Sequence, residues 1–168
     1  SFETPEQGIA YEKNADKVFT ALERCTVPTI AAITGACTGG GAGIAACCDM
    51  RVATRSLKFG FPIARTLGNC LSAATLERLV RVMGEARVID LIYTSRLIEA
   101  DEALRIGLVN ELVDDHEAVI ARSDALARQI AGHAPLTMRA TKELLRRLRQ
   151  RPDEVNDDDI VGMVYTSA

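Results

Sequence analysis

Apolar positions along this chain form two kinds of run, and the two kinds separate its elements. Ala10, Val18, Ala21 and Leu22 recur at helical spacing in a segment that opens on Thr4-Pro5-Glu6-Gln7. That opening resembles a capping box with proline at the first helical position. It predicts a helix from Pro5 to about Glu23, with those four residues turned inward. Pro28 to Ile33 is an apolar run, which predicts a short strand covered on both faces. Thr38-Gly39-Gly40-Gly41-Ala42-Gly43 follows, and then the small-residue run Ile44 to Cys48. The order reads as strand, tight turn, buried helix. Asp49 to Thr54 predicts a second strand and Leu57 to Phe59 a shorter one.

Helices dominate the remainder. Asn69 is the expected cap of a helix running to about Met83, where Gly84 interrupts, and another helix covers Ala86 to Tyr93. Glu99 to Ile106 predicts a short helix ended by Gly107, and Val109 to Val113 a brief strand. Helices follow near Asp115 to Ala131 and Pro135 to Arg149. A last amphipathic segment starts at Asp153 and stops at Ala168. No internal repeat or low-complexity linker divides the chain. The reading is one α/β domain, with a sheet-containing front half and a helical back half.

Composition narrows the function classes. With 168 residues the chain is long enough for one domain with a real core. No run is long and apolar enough to span a membrane, and the polar, acidic opening does not resemble a signal peptide. A net charge of −3 offers no dominant attraction to phosphate backbones, and 4% aromatics without Trp offers no stacking platform, so nucleic acid is not an expected partner. The five cysteines, Cys25, Cys37, Cys47, Cys48 and Cys70, form no Cys-x-x-Cys pair, and His116 and His133 lie far from them. No metal site is expected. An odd number of thiols with apolar neighbours points to buried, reduced cysteines in a cytoplasmic protein.

The glycine-rich turn is the candidate site. Glycine permits positive φ and close approach of a ligand to the backbone. The first N–H groups of a helix lack intrahelical partners, and the dipole there favours negative charge. The stretch can therefore bind an anion or oxyanion through backbone alone. Two other readings compete. Gly41 to Ala46 fits the loose Gly-x-Gly-x-x-Gly/Ala dinucleotide pattern. Yet no Asp or Glu occurs from Met50 to Leu76, where a ribose contact is expected, and Arg51 and Arg55 lie early for a 2′-phosphate. The plainest reading is close packing of a small-residue helix on a strand.

Several stretches together carry a resemblance. They are Val27-Pro28-Thr29-Ile30-Ala31-Ala32-Ile33-Thr34-Gly35, Gly39-Gly40-Gly41, Cys48-Asp49-Met50-Arg51-Val52-Ala53 and Lys58-Phe59-Gly60-Phe61-Pro62. Further along come Ala100 to Asn110, Ala134-Pro135-Leu136 and Thr141-Lys142-Glu143. In this order they resemble the crotonase, or enoyl-CoA hydratase/isomerase, superfamily over nearly the whole chain. The resemblance implies a ββα spiral core, partial here, over residues 1–110, and a helical trimerisation region over 111–168. It implies a homotrimer or a hexamer built as a dimer of trimers. It implies no covalently bound cofactor and a substrate carried as a coenzyme A thioester. One oxyanion donor matches the backbone N–H of Gly40, flanked by Gly39 and Gly41. The other belongs to an earlier Ala-Gly-x-Asp motif that this sequence lacks, so the chain is expected to be incomplete at the N-terminus, and, stopping before the family's C-terminal helix is complete, at the C-terminus too. Phe61, Pro62, Ile63, Arg65 and Leu67 match the acyl-pocket segment.

The chain departs from the hydratases at both acids. Where they place one glutamate after the glycine triplet it has Gly43, and where they place the second, after Phe-Gly-x-Pro, it has Ile63. Neither can transfer a proton, so two-glutamate hydration is not expected, and glutamate restored at both positions is expected to raise it. Cys70, in Leu67-Gly68-Asn69-Cys70, is the candidate nucleophile if a helix N-terminus lowers its pKa; an inert packed thiol is the alternative. Arg65 either pairs with an acidic acyl group or is a solvated or subunit-contact residue. His116 and His133 read as surface or structural, and Asp49 as a cap or turn residue. Arg139, Lys142, Arg146 and Arg149 form a stripe that attracts CoA phosphates or faces solvent. Two functions follow: an enzyme stabilising an acyl-CoA enolate, or a non-catalytic acyl-CoA binder of the same fold.

Overall fold

The computed structural model describes residues 4–66, 68–149 and 158. Helix α1, Pro5–Glu23, is capped by Thr4, whose side chain accepts from the Gln7 N–H. Strand β1, Ile30–Ile33, turns through Gly35 (φ 66°) into β2, Ala36–Thr38. Helix α2, Gly40–Cys47, leads to β3, Met50–Thr54, and β4, Lys58–Gly60. Then come α3, Ile63–Thr66; α4, Ala73–Met83; α5, Glu85–Thr94; β5, Ile98–Glu99; and α6, Ala100–Arg105. Strand β6, Glu111–Val113, precedes α7, His116–Ala131, and α8, Pro135–Arg149.

The strands fall into two sheets. β1, β3 and β6 form one, parallel throughout, with Ile30 opposite Met50 and Val52 opposite Glu111. β2, β4 and β5 form the other, parallel between β2 and β4 and antiparallel between β4 and β5. Each pass of the chain thus gives one strand to each sheet. The corners of successive passes interlock, because Gly35 N–H donates to Thr54 Oγ1 (3.3 Å) and its carbonyl accepts from Lys58 N–H (3.1 Å). This is an α/β core of two sheets with helices following it, the arrangement that the resemblance implies.

Phe59, Leu57, Leu79, Leu91, Ile98 and Leu108 are fully buried at its centre. Burying side chains of this size stabilises by about 1.5–3 kcal/mol each. Arg51 is a polar hub within this apolar set. Its guanidinium donates to the carbonyls of Ala45 (3.1 Å), Cys48 (2.6 Å) and Leu108, tying the C-terminal end of α2 to the segment that feeds β6. A cation at a helix C-terminus is favourably placed against the dipole. Val119 and Leu126 of α7 pack with Val52 in a second cluster. No described helix is long and apolar enough to cross a membrane.

Several sequence expectations need correction. β2, β5 and α3 were not foreseen, and Glu99, expected in a helix, closes a two-residue strand against Lys58. β6 begins at Glu111 rather than Val109, because Leu108 and Val109 plunge into the core first. The inward face of α1 is also different. Ala10, Val18 and Ala21 are exposed, while Gly8, Glu12 and Phe19 are buried. Polar groups can face inward there because α4 supplies their partners, as described below. The segment expected from Asp153 lies outside the described residues apart from Asp158, which pairs with Lys13 at 2.8 Å.

Candidate functional site

The glycine turn sits between the end of β2 and the start of α2. Gly39 N–H donates to the carbonyl of Gly60 (3.3 Å), so the turn is bolted to β4. Gly39 adopts φ 54°, ψ −125°, a conformation that favours glycine, and serves as N-cap. Gly43 N–H then donates to Gly39 O at 3.0 Å. Gly40 and Gly41 differ from Gly39. Both are exposed, both lie in the first helical turn, and a Cβ on either would meet no protein atom within 4 Å. Neither positive φ nor internal packing demands glycine at these two positions. The missing Cβ atoms leave both backbones open to close approach from outside. Helix geometry leaves their N–H groups without intrahelical acceptors and points the positive end of the dipole outward.

Pairing of Thr38 with Gly60 sets the segment after β4 beside this turn. Within it the expected lining residues separate. Phe61 and Ile63 are buried in the main core, Phe61 edge-on to Phe59 with ring centroids 6.3 Å apart. Pro62 is half-buried and its carbonyl accepts from Thr66 Oγ1 at 2.9 Å. Arg65 is exposed, and Leu67 lies outside the described residues. Gly68 takes φ 64° and donates to Ile63 O at 2.8 Å, which folds the loop back on α3. Asn69 and Cys70 are half-buried beyond it.

The cap of α4 is Ser72, not Asn69. Ser72 Oγ accepts from Thr75 N–H at 3.1 Å. Cys70 therefore precedes the cap instead of occupying the first turn, and the premise of a thiol activated by that turn does not hold. Two other thiols are held protonated by burial, which pushes Cys37 up to about 11 and Cys47 up to about 12. The thiolate is the reactive form. In folded protein at pH 8, iodoacetamide should leave Cys37 and Cys47 unmodified, whereas denatured protein labels at both. Mass spectrometry of tryptic peptides reads the result, and equal labelling before and after denaturation would contradict the packing described.

Gly43 is closed by its neighbour. A Cβ there would lie 2.9 Å from Cε2 and 3.0 Å from Cε1 of Phe19, which reaches across from α1. Phe19 in turn carries Arg78 over its ring, 5.6 Å from the centroid. The expectation that glutamate at Gly43 simply restores a hydratase site is corrected by this contact, because the ring occupies the space a side chain needs.

Arg78 centres a polar clamp that the sequence reading missed. It donates to Asp16 (2.7 Å), Glu23 (3.0 Å) and Thr20 (3.0 Å). Burial works against its charge, but the bonds to Asp16 and Glu23 outweigh this and hold its pKa above the ordinary value. Glu12 extends the same face and accepts from Ser72 N–H at 3.2 Å. Glu12, Asp16, Phe19 and Glu23 follow an i, i+4, i+7, i+11 pattern, which is one helical face. That spacing was a readable signal, but an acidic stripe is ordinarily assigned to solvent.

Two residues of the basic stripe of α8, Lys142 and Arg146, are engaged within the chain. Lys142 donates to Asp49 (2.7 Å) and to Val27 O (3.0 Å), while Arg146 pairs with Glu143 at 2.7 Å. Asp49 also accepts from the backbone (2.8 Å) and hydroxyl (2.9 Å) of Thr29, so it fixes the entry to β1. A cleft of about 640 Å³ lies beside this stripe, with Arg24, Arg139 and Arg147 among its walls. His116 opens α7, its Nδ1 3.1 Å from Thr34 Oγ1.

Comparison with known proteins decides the family. The family described as enoyl-CoA hydratase/isomerase matches residues 2–161. The chain belongs to this family, within the crotonase superfamily. Among relatives of this enoyl-CoA hydratase/isomerase family member is the short-chain-enoyl-CoA hydratase of Clostridium acetobutylicum, 39% identical over 132 residues, covering 79% of this chain and 50% of the relative. The mitochondrial Delta(3,5)-Delta(2,4)-dienoyl-CoA isomerase of Mus musculus is 35% identical over 127 residues, covering 75% of this chain and 38% of the relative. The chain thus spans half or less of the length of these two. Among solved structures, an enoyl-CoA hydratase/carnithine racemase from Magnetospirillum magneticum superposes with a TM-score of 0.79 at 35% identity, covering 92% of this chain and 57% of the other.

Proposed function

We propose that this chain carries half of an acyl-CoA oxyanion site, in which the backbone N–H of Gly40 donates to the thioester carbonyl. The observation that carries the reading is the pair of exposed glycines, Gly40 and Gly41, whose missing Cβ atoms no protein neighbour requires. Bound substrate is held as a coenzyme A thioester, with no covalent cofactor. As negative charge develops on the carbonyl oxygen, a donor aimed at it is worth about 3 kcal/mol. Gly39 and Gly41 hold that donor in place. Pro62 and Arg65 face the acyl group, and the buried Phe61 and Ile63 back them from the core. The protein acts as a lyase or isomerase on acyl-CoA, assembles as a trimer or a dimer of trimers, and works in the cytoplasm.

Proline at Gly40 tests this reading, because it deletes the N–H at the first helical position, where proline is otherwise well suited. Gly40→Pro should keep its melting temperature and weaken acetoacetyl-CoA binding by about 100-fold, with loss of the bound enolate's ultraviolet absorbance. Binding equal to the unmodified protein would overturn the reading. A second function, a non-catalytic acyl-CoA binder, is favoured by Phe19 closing Gly43 and by Ile63 in the core. It differs in giving tight thioester binding without turnover of any enoyl-CoA.

A further inference from the structure

Two cavities adjoin where the segment from α1 into β1 meets α8, and Thr26 and Arg139 are walls of both. One, the cleft of about 640 Å³ beside the α8 stripe, is cationic. Its walls carry Arg24, Arg139, Lys142, Arg146 and Arg147 against two carboxylates, Glu23 and Glu143. Both carboxylates are already engaged. Glu23 pairs with Arg78 and Arg81 of α4, and Glu143 is shared by Arg146 and Arg147, each at 2.7 Å. Arg24 and Arg139 are exposed and meet no carboxylate among the described residues. Arg146 and Arg147 lie in the last turn of α8, where the helix dipole favours cations. Arg139 lies one turn inside the opposite end, so the dipole gives no reason for it there.

The other cavity, of about 430 Å³, is apolar apart from Thr26 and Arg139. Two of its walls stand open to water, Val27 at 59% and Leu136 at 77% exposure. Large apolar side chains grouped around a groove and rimmed by charge mark a surface that a ligand covers. The volume falls within the range of small-molecule sites, roughly 300–1,000 Å³. Among the described residues, no wall of either cavity belongs to the glycine turn or to the segment after β4. We infer that the two cavities together bind an anionic amphiphile, a phosphate monoester of one alkyl chain, at a site separate from the glycine turn. The phosphate meets Arg24 and Arg139, whose forked donors match its oxygens. The chain lies over Val27, Leu136 and Met138. A phosphate monoester carries about two charges at pH 7, so it answers the excess of cations better than a carboxylate does.

Isothermal titration calorimetry of the full chain with hexyl, octyl and decyl phosphate, kept below micelle formation, tests the site. One equivalent should bind per chain, roughly tenfold more tightly for each two carbons added. Decanoate should bind more weakly than decyl phosphate, and decanol or inorganic phosphate more weakly still. Arg139→Glu and Leu136→Glu change exposed positions and should melt like the unmodified protein, yet each should weaken decyl phosphate by about 10–100-fold. Arg128→Ala, outside both cavities, should leave binding unchanged. Affinity indifferent to chain length, unsaturable uptake of many equivalents, or full binding by Arg139→Glu would overturn the proposal. Decanoate binding as tightly as decyl phosphate would overturn the choice of head group. Displacement of decyl phosphate by acetoacetyl-CoA would overturn the separation of the two sites. Absence of binding would also overturn the proposal; if Leu136→Glu then lowers the mass found by light scattering, the groove is a contact between copies of the chain.

Discussion

Glutamate at Gly43 should destabilise the protein by about 3 kcal/mol or more and should not create a hydratase. Overpacking a buried position costs about 1–3 kcal/mol, and here the first added carbon already meets the Phe19 ring, with Cε2 at 2.9 Å. A carboxylate without a shown partner adds to that cost. For a chain of this size the loss lowers the melting temperature by roughly 6–12 °C. Combining it with Phe19→Ala removes the collision but opens a cavity and takes away the ring beneath Arg78. The double variant should therefore be more stable than the sum of the single changes predicts, with a coupling of about 1–3 kcal/mol. Denaturant titration of the four proteins measures it. Simple additivity, or a fully stable Gly43→Glu, would show that Phe19 does not occupy this space in solution.

Arg78→Leu is the second large effect. The guanidinium is 5% exposed and joins α1 to α4 through Asp16, Glu23 and Thr20. Removing one partner of a buried ionic set costs about 3–5 kcal/mol. Asp16 and Glu23 keep 25% and 20% exposure, and Glu23 retains Arg81, so the lower end, about 3 kcal/mol, is expected. The change should also slacken the loop that precedes α4, because Ser72 caps the start of that helix. Loss of stability below about 0.5 kcal/mol in a denaturant titration, the range of an ordinary surface change, would mean that the clamp is not what holds the two helices.

Much of the fold was legible because its signals are local. The Thr4 capping box, the apolar run into β1, and Gly84 between α4 and α5 each act within a few residues. What escaped was set by partners distant in sequence. Strand β2 has three residues and exists only because Cys37 and Thr38 find Phe59 and Gly60. Asn69 and Ser72 are both good caps by type, and Ser72 is chosen where Glu12 of α1 meets its N–H. The inward turn of Glu12, Asp16 and Glu23 reverses the usual rule for acidic stripes, and it follows from partners on α4 and its cap, Arg78, Arg81, Thr75 and Ser72. The glycine triplet was readable as a tight turn into a small-residue helix, whereas the closure of Gly43 by an aromatic ring was not, because nothing near Gly43 in sequence announces Phe19.

The Gly40 N–H is the centre of this account, and an amide-resolved titration addresses it directly. With uniformly 15N-labelled protein and acetoacetyl-CoA, the Gly40 amide proton should move downfield further than any other assigned amide, as a donor to a developing oxyanion does, with Gly39 and Gly41 shifting less. Saturable binding that leaves Gly39, Gly40 and Gly41 unmoved, with shifts confined to another face such as the cleft beside α8, would contradict it.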